Sequence, residues 1–143
     1  MNKVIEKFKE QFSNYILMFE KGSFINVYSK DSYIISYLLN YKMKKVGENY
    51  VCGFPKASLN KVIGILESNN INYMHINKSF QYTEETKSEF KYNKYIETYN
   101  LAFEEISFKQ RILKLNTFLL QNKKNKEVLN NFTLFEYQMY GRK

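Results

Sequence analysis

FEKGSFINVYSKDSYIISYLL, residues 19–39, is the stretch on which the reading of this chain turns. An apolar run over 15–20 stops at Lys21, Gly22 and Ser23, and a second run over 24–28 starts at once. Two β-like runs about a glycine-bearing corner predict a hairpin. Asp31 then stands where a helix N-cap belongs, and Ile34, Ile35, Leu38 and Leu39 recur at helical spacing. Strand, corner, strand and helix thus follow one another without a gap. Phe24, directly after the corner, has two readings: a core side chain, or a side chain aimed at a partner.

The same patterns extend outward. Val4, Ile5, Phe8 and Phe12 predict a first helix. Residues 41–46 and 50–54 flank Gly47, Glu48 and Asn49 and predict a second hairpin. Gly53, Phe54 and Pro55 end it, because Pro55, the single proline, cannot donate to a ladder. Ser58 is placed to cap a helix carrying Leu59, Val62, Ile63 and Leu66. Asn69 and Asn70 suit its end, and 73–76 form a last short strand. From about residue 78 the texture changes. SFQYTEETKSEFKYNK, residues 79–94, is polar and aperiodic and reads as a loop or linker. Beyond it Ile96, Tyr99, Phe103 and Ile106 keep helical spacing, as do Phe108, Ile112, Leu115 and Leu119, then Val128, Phe132, Phe135 and Met139. NKKNK, residues 122–126, is the break between the last two stripes. The expected fold class is α/β (α+β): a small mixed sheet flanked by helices over residues 1–80, then a helical region over 81–143.

At 143 residues the chain holds one domain, or a small domain with a helical appendage. Aromatics make up 17% of it, so core material is available. No apolar run reaches the ~18 residues of a membrane span. The start, NKVIEKFKEQF, is amphipathic and mixed in charge, unlike a signal peptide. The expectation is a soluble cytoplasmic protein. One cysteine, Cys52, excludes an intramolecular disulfide and reads as a buried thiol. The net charge of +8 points to an anionic partner such as nucleic acid. Nearly all of it is lysine, with only Arg111 and Arg142 besides. In a chain this rich in Asn, Ile and Tyr, solvated lysines left by AT-rich coding are the competing reading.

Catalytic residues are sparse. The single histidine, His75, has no second histidine or cysteine pair to make a metal site with. It reads as a strand residue facing solvent or held by a backbone group. Glu84, Glu85, Glu104 and Glu105 read as solvated positions. Five glycines never form GxxxxGK or GxGxxG. The expectation is no enzyme, no metal, no cofactor and no small-molecule substrate. Binding features are richer. Lys42, Lys44 and Lys45 precede Gly47 on a predicted strand, with Lys42 and Lys44 on one face and Lys45 on the other. With Lys21 and Lys56 they could track phosphates, or they could be a solvated hairpin. The helical stripes after residue 90 form core, or an exposed groove for a partner.

Residues 15–77 resemble the N-terminal domain of the MutS mismatch-repair proteins. The family pattern is an apolar run, then Gly-Asp-Phe-Tyr-Glu, then a helix, and further on Gly-apolar-Pro, a helix and a short strand. YILMFEKGSFINVYSKDSYIISYLL, YVCGFPKASLNKVIGILE and NINYMHIN match it in order and spacing. The resemblance implies that Phe24 stands at the position of the Phe that wedges into the duplex. Asn26 then stands at the position of the Glu that hydrogen-bonds a mispaired base. Gly22 keeps the corner; Gly53 and Pro55 keep the strand end. Ser23 replaces an Asp, Ile25 a Tyr and Asn26 the Glu, and Asn77 lies near a Gln that usually follows the last strand. The clamp, lever and ATPase parts have no counterpart in these residues. Two functions follow as expectations. One is a non-enzymatic accessory factor that binds a protein partner, such as a site-specific recombinase, as a recombination directionality factor of a mobile element does. The other is a direct DNA-binding module with a Phe24 wedge and lysine–phosphate contacts.

Overall fold

The computed structural model describes residues 2–83 and 86–141. Glu84 and Glu85 lie outside the described residues. Two compact units part between Ile106 and Ser107. The first carries a mixed five-stranded sheet in the order β3-β4-β2-β1-β5. Its elements are α1 (Lys3–Gln11), β1 (Ile16–Lys21), β2 (Phe24–Tyr28), α2 (Lys30–Leu39), β3 (Met43–Val46), β4 (Asn49–Pro55), α3 (Leu59–Ser68) and β5 (Tyr73–Ile76). Next come α4 (Tyr95–Gln121), which runs across the division, and α5 (Lys126–Tyr140). Among the described residues no helix is long and apolar enough to cross a membrane.

Both hairpins form where the glycines predict them. Gly22 and Gly47 sit at φ +61° and +63° with open space around them, a left-handed conformation that a β-carbon disfavours. The corners are two-residue turns, with Lys21 opposite Phe24 and Val46 opposite Asn49. β5 pairs in parallel with β1, while every other pair is antiparallel.

Alternation along the strands builds two cores. Ile16, Met18, Ile25, Val27, Cys52 and Phe54 face α2 and α3, where Ile34, Ile35, Val62 and Leu66 meet them. Leu17, Phe19, Met74 and Ile76 face the other way, against Ile5 and Phe8 of α1, Phe12 and Tyr82. That second cover reaches only the β1–β5 side of the sheet. Cys52 is fully buried, as its apolar run suggests, and burial pushes its thiol up to about 11.

Asp31 departs from its expected role. Ser29 occupies the N-cap of α2, and Asp31 sits two residues on, within the first turn and 1% exposed. Its carboxylate takes a 2.6 Å bond from Lys9 Nζ, a 3.1 Å bond from the Leu17 N–H, and a short bond from the Tyr95 hydroxyl. One side chain therefore ties α1, β1 and α4 to α2. Burial pushes Asp31 above the usual carboxylate range, and those three donors pull against it without cancelling the rise.

The division after Ile106 lies well past the boundary near residue 80 that the polar texture of 79–94 suggests. The described residues of that stretch are mostly irregular, but they are bonded to the sheet. Asn93 Oδ1 accepts from the Asn72 N–H at 3.0 Å, and Asn93 Nδ2 donates to the Asn14 carbonyl at 2.8 Å. Ser88 Oγ accepts from the Tyr73 N–H at 3.1 Å. Its polar side chains replace ladder partners at an edge strand, so the composition of a linker serves as a seam. Tyr95 and Ala102 beyond it are buried.

Candidate functional site

The half of the sheet that α1 leaves bare carries the residues in question. On β2, Phe24, Asn26 and Tyr28 point to this face, while Ile25 and Val27 point into the core. The register places Pro55 beside Phe24, Gly53 beside Asn26 and Val51 beside Tyr28. Lys44 of β3 lies beside Val51. Lys21 lies beside Phe24 across the first hairpin.

Phe24 is 51% exposed. The core reading of this residue does not hold. Its ring stands next to the Gly22–Ser23 turn, and no element among the described residues of the first unit covers it. Asn26 is half-buried. Its carboxamide lies over Gly53, where a β-carbon would come within 2.8 Å of Asn26 Oδ1. Gly53 is thus a glycine because Asn26 needs the space, a reason that its place near a strand end did not suggest. Asn26 Nδ2 also lies 3.4 Å from the Tyr28 hydroxyl, which leaves both polar atoms of the carboxamide with capacity to spare.

The lysines divide. Lys21, Lys44 and Lys45 are exposed, and no ion pair holds them among the described residues. Lys44 is on the bare face. Lys45, opposite Tyr50, is on the other. Lys42 is exposed but precedes β3, so its expected place on that strand is corrected. Lys56 is tied up: its ammonium lies 3.2 Å from Glu20 Oε1.

Glu20 also corrects the reading of His75. His75 neither faces solvent nor meets a backbone group. Its Nε2 lies 2.7 Å from Glu20 Oε1, with the side chain 16% exposed. Burial raises the Glu20 carboxyl, but Lys56 and His75 outweigh that and hold it below its usual range. This trio sits on the helix-covered side of the sheet, apart from Phe24. Asn77 closes its own turn by accepting from the N–H groups of Ser79 and Gln81.

Sequence reasoning brought Phe24, Asn26, Gly22, Gly53, Pro55, Lys21 and Lys44 to one region. It missed the Lys9–Asp31–Tyr95 anchor and the Glu20–His75–Lys56 trio. A signal for the first existed: Asp31 is the only aspartate in the chain.

No curated protein matches the chain. The family model for MutS domain I matches residues 1–98, the span that holds the whole sheet, α1 to α3 and the seam onto Tyr95. With the order of strands and helices and the Gly-Ser-Phe corner, that match decides the assignment, and the chain belongs to the MutS domain I family.

Proposed function

We propose that this chain is a non-enzymatic accessory module that contacts DNA through the bare half of its sheet. The observation that carries this is the half-exposed Phe24 ring on an uncovered sheet face, flanked by Asn26 and the unpaired Lys21 and Lys44. These groups bind rather than react. The phenyl ring stacks, the carboxamide reads a base edge as donor or acceptor, and the ammonium groups meet phosphates. Membership of the MutS domain I family supports the same partner.

Magnitudes decide which DNA. Stacking one aromatic ring on a base gives ~1–3 kcal/mol. Opening an intact base step costs a few kcal/mol. One ring on a small module cannot offset that cost with much to spare. The preferred target is therefore DNA already weakened by a mismatch or bulge. Asn26, lacking a negative charge, adds no repulsion from nearby phosphates.

Fluorescence anisotropy of labelled perfect and mismatched duplexes over a salt series tests this. The expected result is tighter binding to the mismatch and a clear salt slope. Phe24→Ala should lose roughly tenfold on the mismatch and much less on the perfect duplex, in line with one lost stacking contact. Weak binding that ignores both the mismatch and Phe24 would leave the sheet as a scaffold for a protein partner. That second reading rests on the exposed apolar stripes of α4 and α5. A recombinase, or a role in recombination directionality, has no residue on this surface that favours it over other partners.

A further inference from the structure

The second compact unit, from Ser107 onward, poses a separate problem. It holds the later part of α4 and all of α5, joined by a turn at 122–125. Asn125 caps α5 by accepting from the N–H groups of Glu127 and Val128. Yet none of its described residues is buried. Leu115, Phe118, Phe132 and Phe135 are each 41–55% exposed. With Leu119 and Val128 they line an open apolar groove of about 500 Å³ between the two helices. A 15-residue helix such as α5 is marginal in water without tertiary packing.

We infer that a second copy of this chain fills the groove, so that two helical hairpins close into an antiparallel four-helix bundle. The spacing supports this. Phe108, Ile112, Leu115 and Leu119 step by four, three and four residues, and Val128, Phe132, Phe135 and Met139 step the same way. That is the knobs-into-holes repeat, and the two helices carry it over equal lengths. Each stripe therefore suits the partner copy's helices as well as its own neighbour, which is what a two-fold interface requires.

The area agrees. A buried phenylalanine covers ~150–250 Å², so a half-exposed large side chain on the groove presents about 100 Å². Leu119 and Val128 are more covered, and the six exposed stripe residues, at 41–61%, offer about 600 Å² per copy, the lower end of a stable interface's share. Charge sets the direction. Lys123, Lys124 and Lys126 cluster at one end of the hairpin. A parallel pairing would bring both clusters together. An antiparallel one sets them apart by the ~22 Å length of a 15-residue helix, beyond the ~8 Å screening length at physiological salt.

Sedimentation velocity and light scattering of the full chain, from about 1 to 100 µM, test the inference at concentrations where an interface of this size associates. The expected particle is twice 17.3 kDa, and the melting temperature should rise with concentration, as it does for a folded dimer. Phe132→Glu sets a charge in the groove and should raise the dissociation constant at least about a hundredfold. Leu120→Glu, on a side chain 71% exposed and off the groove, should change nothing. The concentration-dependent melting of the unaltered chain stands even if Phe132→Glu disrupts α5. A monomer at the highest concentration with a concentration-independent melt would overturn the dimer. So would open-ended polymers, or a monomer whose groove takes up an apolar fluorophore, which would leave the groove to another protein or a small molecule.

Discussion

Asp31 shows most clearly what a single side chain can hide. Read locally, an Asp ahead of an apolar helical face is a cap. In the fold it is a buried anchor whose partners come from α1, β1 and α4. Those partners are 14 to 64 residues away in sequence, and local spacing does not report such distances. Sequence alone leaves Phe24 open between core and partner contact, and it is the burial of Ile25 and Val27 in the fold that turns it outward by alternation. The two halves of the anchor are not equivalent. The Lys9 side chain is 22% exposed and that of Asp31 2%, so Lys9 can swing its ammonium into water while the carboxylate cannot move. Asp31→Asn should therefore cost less stability than Lys9→Met, which strands a carboxylate and should cost roughly 3 kcal/mol. Because burial already raises Asp31, the folded state of Lys9→Met holds the proton more tightly than the unfolded chain does. Its stability should fall as pH rises from below the ordinary aspartate value through the raised folded one, the reverse of ordinary acid unfolding. Urea midpoints of both variants at pH 4 and 7 check this. Equal losses, or a Lys9→Met variant most stable at neutral pH, would remove the anchor from the account.

At the scale of the element, the patterns that were legible are those with a short period. The five strands, the helices and the break between α4 and α5 all follow from apolar spacing and glycine corners. What periodicity could not supply is the strand order, which places β5 beside β1 and leaves the β2–β4–β3 half of one face bare. Nor could it show that Gly53 makes room for Asn26. Pairing register also sorts the lysines, a matter on which charge counting is silent. Lys44 shares the face of Asn26 and Tyr28, and Lys45 does not. If duplex lies on that face, Lys44→Ala should reduce the slope of log K against log salt by ~0.9, one phosphate's worth, and Lys45→Ala should leave it almost unchanged. The comparison is internal, since both residues are neighbours on one edge strand and carry the same charge. Equal slopes for the two variants would mean that the face is wrongly assigned, whatever the affinity.

For the molecule as a whole, the polar texture of 79–94 suggested an end to the first unit that the Asn93 and Ser88 bonds and the buried Tyr95 carry further. A seam made of side-chain bonds looks like a linker in composition, and only the partners distinguish the two. The second unit then poses a question of number rather than of fold. If two copies join through their helical hairpins, every particle carries two Phe24 faces. Linked sites bind with an effective concentration in place of a free one, and the gain reaches 10²–10⁴ where the geometry lets both engage. Duplexes carrying two mismatches at a graded series of separations should then bind the unaltered chain more tightly at some spacings than at others. The pattern should repeat with the ~10.5 base-pair helical turn, since a second mismatch on the far side of the duplex is out of reach. Phe132→Glu should keep the affinity for a single mismatch and lose the spacing dependence. Phe24→Ala should keep the dimer and lose both. If the unaltered chain binds two mismatches at every spacing only as well as two independent sites would, the paired faces do not act together, and the dimer serves to stabilise α4 and α5 alone.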